Sequence, residues 1–121
     1  MKPTLDQFLA TSWPKNAYIE YPGLRSLYVC KGSFGVVHEG VFYRCHNGLT
    51  IASVEAEVPG AGAFTRLVED LVVRGMAVYV ENCHNERLYA KLVRDGFKPV
   101  NKETGPHLLL ATVSDLEVWE S

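Results

Sequence analysis

A Gly60-Ala61-Gly62 turn stands between an alternating segment and an amphipathic one, and it is the first place in this sequence where chemistry could be done. Where such a turn opens a helix, unpaired N–H groups converge, the helix dipole favours negative charge, and glycine lets a phosphate approach the backbone. A tight strand-to-helix connection that merely needs glycine reads the same way. Upstream, alternation sets Ser53, Glu55 and Glu57 on one face of a strand and Ala52, Val54, Ala56 and Val58 on the other. Carboxylates on such a face can accept a proton, hold an amine, or simply be solvated. Cys45-His46 and Cys83-His84, with Cys30 and His38, raise the question of a metal. Adjacent strand residues point in different directions and no Cys-x-x-Cys spacing occurs, so no metal site is expected.

These residues need elements to position them. Thr4-Leu5-Asp6-Gln7 reads as a capping box opening a short helix with Leu5, Phe8 and Leu9 on one face, ended by Pro14. Strands are expected over 26–30, 36–44 and 49–58, the last two joined by a hairpin at Asn47-Gly48, so that the first half forms an antiparallel meander. Phe64, Leu67, Val68, Leu71 and Val72 make a helical stripe, with Gly75 suited to a left-handed cap. The apolar run 76–80 is a strand buried on both faces and parallel to 49–58 across a right-handed crossover. A second helix over about 85–95 turns Leu88, Tyr89, Leu92 and Val93 inward and stops at Gly96; 97–100 and 107–113 close as a hairpin. The fold class is α+β (mixed α/β), a mixed sheet of about six strands with helices on both faces.

The chain's 121 residues suit one domain spanning 1–121, and 47% hydrophobic residues can fill its core. Twelve basic against fourteen acidic residues give a net charge of −2, which argues against a nucleic-acid partner or a polybasic membrane surface. Apolar runs fall far short of a bilayer span, the first residues lack a signal-peptide core, and an odd three cysteines suit a reducing compartment. A soluble cytoplasmic protein is expected.

Three ligands could use the glycine loop. A nucleoside triphosphate would want a lysine after the glycines, and none follows. A dinucleotide would want a third glycine where Thr65 stands, although Glu81 is spaced to meet a ribose hydroxyl. The third is the pyrophosphate of coenzyme A. The stretch Ser53-Val54-Glu55-Ala56-Glu57-Val58-Pro59-Gly60-Ala61-Gly62-Ala63-Phe64-Thr65-Arg66-Leu67 and the later Val78-Tyr79-Val80-Glu81-Asn82-Cys83-His84-Asn85-Glu86-Arg87-Leu88, continuing to Arg94-Asp95-Gly96-Phe97, carry a resemblance. Over roughly 18–113 the chain resembles the GNAT family of N-acetyltransferases, and its wording is similar to small acetyltransferase-like proteins encoded by bacteriophages.

The resemblance implies an acyl-CoA-dependent N-acyltransferase that moves acetyl from acetyl-CoA to a primary amine, a small molecule or a protein amine, in a host cytoplasm if phage-encoded. It leaves a homodimer open. Coenzyme would be held by Val58, Gly60, Ala61, Gly62, Ala63 and Phe64, with Asn85 on the pantetheine arm or serving only as a helix cap. Glu55, then Glu57, would take the amine's proton, and Glu81 and Glu20 are further candidates. Two departures stand out. No Gln or Arg begins the loop, leaving Arg66 or Arg87 to supply charge, and Leu92 occupies the position of the family's thiolate-protonating tyrosine, with Tyr89 nearly one turn away. An alternative is therefore an eroded acetyltransferase-like protein that binds a partner protein.

Overall fold

The Thr4 capping box forms as its residues dictate. In the computed structural model, which describes residues 2–10 and 14–111 and the backbone of 116–118, the Thr4 N–H donates to Gln7 Oε1 (3.0 Å) and the Gln7 N–H to Thr4 Oγ1 (3.2 Å). Helix α1 (Leu5–Ala10) follows and buries Leu5 and Phe8. Strands β1 (Asn16–Tyr18) and β2 (Leu24–Lys31) pair antiparallel; the short β1, with no apolar run of its own, was not expected. Then come β3 (Phe34–His38), β4 (Val41–Cys45), β5 (Gly48–Ala56), α2 (Ala63–Val73), β6 (Ala77–Val80), α3 (Glu86–Arg94), β7 (Lys98–Val100), β8 (His107–Leu110) and β9 (Leu116–Val118).

Among the described residues, nine strands make two sheets, one of six in the order β1-β2-β5-β6-β8-β7 and one of three in the order β3-β4-β9. The continuous meander is thus corrected. The 36–44 segment folds back on itself at Glu39 (φ 50°) and Gly40 (φ 78°), because both central turn positions are left-handed. Asn47-Gly48 makes no hairpin: β4 leaves for the small sheet, and β5 pairs with β2 instead. Gly48 is not left-handed; its place is set by closeness, since a Cβ there would lie 2.6 Å from the Phe34 ring. Asn47 anchors the start of β5 beside β6, its carbonyl accepting from the Ala77 N–H (2.9 Å) and its Nδ2 donating to the Gly75 carbonyl (3.1 Å).

Both long helices end as expected. Beyond α2 the Gly75 N–H donates to Val72 O and the Met76 N–H to Leu71 O; beyond α3 the Gly96 and Phe97 N–H groups reach Val93 O and Leu92 O. Each is a Schellman closure around a left-handed glycine. In α2, Ala63, Leu67, Val68 and Leu71 are buried while Val72 is half exposed, a stripe rotated slightly from the expected one.

Helices do not lie on both faces of the large sheet. Leu5 and Phe8 of α1, Leu67 and Leu71 of α2 and Leu92 of α3 share one core with Val29, Leu49, Ile51, Val78, Val80 and Leu108 of the strands. The reason is topological. β5 and β6 are parallel, and β6 and β7 are parallel to each other because each runs antiparallel to β8. Both crossovers step the same way along the sheet, so a common right hand leaves α2 and α3 on one side. The small sheet covers part of the other side, where Val36 and Cys45 pack on Ala77, Tyr79, Val100 and Leu109.

Candidate functional site

Strands β5 and β6 part company halfway along β5. Their parallel register runs from Gly48↔Ala77 to Ile51↔Val80, and one further bond joins the Glu81 N–H to Ile51 O (3.1 Å). The chain then turns away through Asn82, left-handed at φ 53°, while β5 continues to Ala56. Over 52–56 no strand pairs with β5 on that side among the described residues. The split coincides with a β-bulge: Tyr28 pairs with Ser53 and Val29 with Ile51, so Ala52 is an extra residue on β5. Leu49 and Ile51 face the helices before it, Val54 and Ala56 after it. The spacing Leu49, Ile51, Val54, Ala56 contains that slip. Strict alternation from 49 onward would have turned Ser53 and Glu55 into the core.

Glu55 therefore lies on the face away from the helices, ion-paired to Arg25 (Nη1–Oε1 3.1 Å) with both side chains exposed. An exposed pair of this kind contributes ~0–1 kcal/mol and can be given up to a ligand. Arg25 is itself the extra residue of a second irregularity, between Leu24↔Ala56 and Ser26↔Glu55. Glu57 sits just past the strand, exposed, its N–H bonded to Gly23 O (3.0 Å).

The loop from Val58 runs directly from this opening into α2. Gly60 (φ 82°) and Gly62 (φ 86°) are both left-handed, and Gly62 is the N-cap with no side-chain cap. The Ala61 N–H turns back to Val58 O (3.3 Å). The N–H groups of Ala63, Phe64 and Thr65 are those a helix start leaves for a ligand or water. Ala63 also has a packing role: it is buried, and a Cβ on Gly23 would come within 2.7 Å of its own Cβ. Arg66 reaches back onto the loop, its Nη1 donating to Ala61 O (3.3 Å) and lying 3.5 Å from where a Cβ on Gly62 would stand. A second cation beside the first turn of α2 is Lys91 of α3, whose Nζ donates to Thr65 Oγ1 (2.9 Å) and pairs with Asp95 (2.7 Å). Sequence reasoning missed Lys91, since only the side-by-side packing of α2 and α3 brings it there.

Asn85 is the N-cap of α3, its Oδ1 accepting from the Leu88 N–H (3.0 Å). The cap role is thus filled and leaves the amide Nδ2 to donate elsewhere. Tyr89 packs half-buried against the helix-side core, and Leu92 is fully inside it. The position at which the sequence resemblance implies an acid is a packing position here.

Opposite the helices, Tyr79 accepts at its hydroxyl from Asn101 Nδ2 (3.0 Å) and stacks on Phe34. Asn101 also accepts the Val37 N–H at Oδ1 (2.7 Å) and donates its own N–H to Val37 O (2.9 Å), clasping β3 to the large sheet. His107 is buried with both ring nitrogens engaged. Nδ1 accepts the Asn82 N–H (3.0 Å), so Nε2 carries the proton and meets Thr104 Oγ1 (3.0 Å). Burial, and then the Glu81 carboxylate, push the Cys30 thiol up; burial pushes up Cys83. Neither thiol is a poised nucleophile. Cys45 and Cys83 belong to the cores on opposite faces, and no group of three or more metal donors gathers among the described residues.

A cleft of about 730 Å³ lies between α1, the 19–25 turn and α2, with Arg74 and Asp70 in its walls, and it shares Arg25, Glu57 and Arg66 with the surroundings of the opening and the loop. Asp70 is already taken by the Tyr21 hydroxyl (3.3 Å) and Arg74 Nε (3.0 Å). No wall residue comes from β6 or α3, whereas the split strands, glycine loop, Lys91 and Asn85 cluster about the β5–β6 opening. That opening is the candidate site. No family model matches the chain, and no curated protein or solved structure matches it significantly.

Proposed function

We propose that the chain is an acyl-CoA-dependent N-acyltransferase with a GNAT-like fold, in which hairpin β3–β4 has swung out of the main sheet, and that it transfers acetyl from acetyl-CoA to a primary amine. One observation carries the reading: a parallel strand pair opens at a bulge, and the longer strand runs straight into a glycine loop at a helix start. A thioester in the opening would meet the edge of 52–56 that faces away from β2, where N–H groups can polarise its carbonyl. Pyrophosphate would lie on the N–H groups of the loop and of Ala63 and Phe64, with Arg66 on the loop and Lys91 beside Thr65 supplying positive charge.

In the reaction the amine nitrogen bonds to the thioester carbon, the C–S bond breaks, and coenzyme A leaves as thiolate. A lysine-like amine must first lose a proton, at a cost of nearly 5 kcal/mol at pH 7, which suits Glu55 or Glu57 acting directly or through water. The thiolate itself is only ~2 kcal/mol uphill of its thiol at pH 7, so Leu92 in place of an acid need not stop turnover. Three cysteines outside any disulfide fit a reducing cytoplasm, and among the described residues no helix is long and apolar enough to cross a membrane.

Calorimetric titration with acetyl-CoA, coenzyme A and NAD tests the reading. Acetyl-CoA and coenzyme A should bind and NAD should not. Gly62→Val should abolish binding while the protein stays folded, because the left-handed backbone strains any β-branched residue. Retained binding in that variant would reduce the loop to a turn. The partner-binding alternative is favoured by the buried Leu92 and by a Glu55 already engaged with Arg25. It becomes the better reading if coenzyme binds to neither protein.

A further inference from the structure

Among the described residues, nothing packs on the second face of the large sheet over β1, β2 and the bulged part of β5. Two rows of paired residues cross it there, Asn16–Cys30–Thr50–Tyr79 and Tyr18–Tyr28–Ser53. Tyr18 and Tyr28 contact each other at 4.7 Å between ring centroids, and Tyr18 is 53% exposed. Glu81 lies two residues beyond Tyr79 and so on the same face, next after the Ile51↔Val80 pair and therefore level with the bulge residue Ala52. Its carboxylate is near enough to raise both the Cys30 thiol, after burial, and the Tyr79 hydroxyl, after burial and against the lowering bond from Asn101. Glu81 is only half exposed, and no lysine, arginine or histidine pairs with it among the described residues. The Phe34–Tyr79 stack walls the far side.

A half-buried carboxylate without a cation, beside two aromatic faces, is complementary to a cation with an apolar body. The patch limits its size. Three strands ~4.8 Å apart over a few residues give roughly 200 Å², against ~800 Å² for one side of a stable protein interface. We propose that this corner binds a small primary ammonium ion, its alkyl body on the Tyr18–Tyr28 rings and its charge against Glu81. The proposal deepens the acyltransferase reading by naming where the acceptor sits, and rests on that reading only for what happens to the bound amine.

The test is an NMR titration without coenzyme, using pentylammonium as the probe and 1-pentanol as its uncharged control. Pentylammonium should shift the amides of Tyr28, Ser53 and Glu81 saturably, and pentanol should not. Glu81→Gln and Tyr28→Leu should each weaken binding at least fivefold, and Tyr28→Phe, which keeps the ring and the fold, should bind within twofold of the parent. Equal binding of pentanol, an undiminished Glu81→Gln, or shifts scattered over the surface would overturn the site. Amine binding without any acetyl-CoA binding would keep this site and remove the acyltransferase reading; the reverse result would do the opposite.

Discussion

Asn85 illustrates how two roles of one side chain can be separated. Its Oδ1 is spent on the Leu88 N–H, so any bond to a coenzyme must come from the Nδ2 hydrogens. Asn85→Asp keeps the cap acceptor and loses that donor, whereas Asn85→Ala loses both. The aspartate variant should hold its stability and weaken acetyl-CoA binding by ~0.5–1.5 kcal/mol. The alanine variant should lose about 1 kcal/mol of stability as well. Urea melts beside calorimetry read the two effects independently, and equal coenzyme affinity in Asn85→Asp would leave Asn85 a cap alone. Glu55→Gln belongs with it. With its Arg25 pair exposed on both sides, the variant should be as stable as the parent and bind acetyl-CoA normally. Its turnover with a true acceptor should fall, most at low pH where free amine is scarce; an unchanged pH-rate profile would remove Glu55 from the reaction.

Between elements, Asn101 joins the small sheet to the large one. It exchanges two hydrogen bonds with Val37 and donates a third to the Tyr79 hydroxyl, from a left-handed backbone at φ 50°. Asn101→Ala loses the side-chain bonds and strains a residue with a Cβ. It should cost about 2 kcal/mol in urea melts and speed amide exchange selectively over residues 34–45. This clasp was invisible in sequence, because Asn101 reads as one more polar residue of a hairpin turn. So was the departure of β3–β4: alternation and Asn47-Gly48 say that strands are adjacent in sequence, not which neighbour each will choose. The elements with local determinants were legible. The capping box, the α2 stripe, the glycine closures, the buried β6 run and the α3 stripe of Leu88, Tyr89 and Leu92 each depend on residues within a turn or two. Val93, expected inward, is instead exposed because it lies at the edge of the α3 stripe. The glycine loop was legible for the same reason, and Lys91 was not.

At the scale of the whole molecule, burial sets a limit on the alkaline side. It raises Cys30 and Cys83 above an ordinary value of 9.0, and Tyr21 and Tyr79 above 10.0, with Asp70 adding to Tyr21. These groups are neutral in the folded protein and ionise more readily when it unfolds. Their contribution is whole below pH 9 and is lost as pH rises through the higher folded values. Denaturation midpoints should be level from pH 7 to 8.5 and fall steadily from pH 9 to 11. A midpoint flat to pH 11 would mean that the four side chains stay solvated. The same scale explains why placing helices on both faces failed. Helical stripes mark which side of each helix is buried, but the face of the sheet that receives them follows from strand order.

The bulge at Ala52 makes β5 a strand in two phases, odd residues inward before it and even residues inward after it. Delete Ala52 from the text of the chain and the remainder, Leu49-Thr50-Ile51-Ser53-Val54-Glu55-Ala56, alternates without a fault. Nothing in the packing asks for the extra residue; it is a spacer whose effect is to interrupt a ladder that would otherwise run on. The shortened protein should therefore fold at least as well as its parent. Its amides over 53–56 should exchange more slowly as the seam beside them closes, and its affinity for acetyl-CoA should vanish. A shortened chain that stays folded and still binds the coenzyme would show that the gap is held open by something other than that one residue.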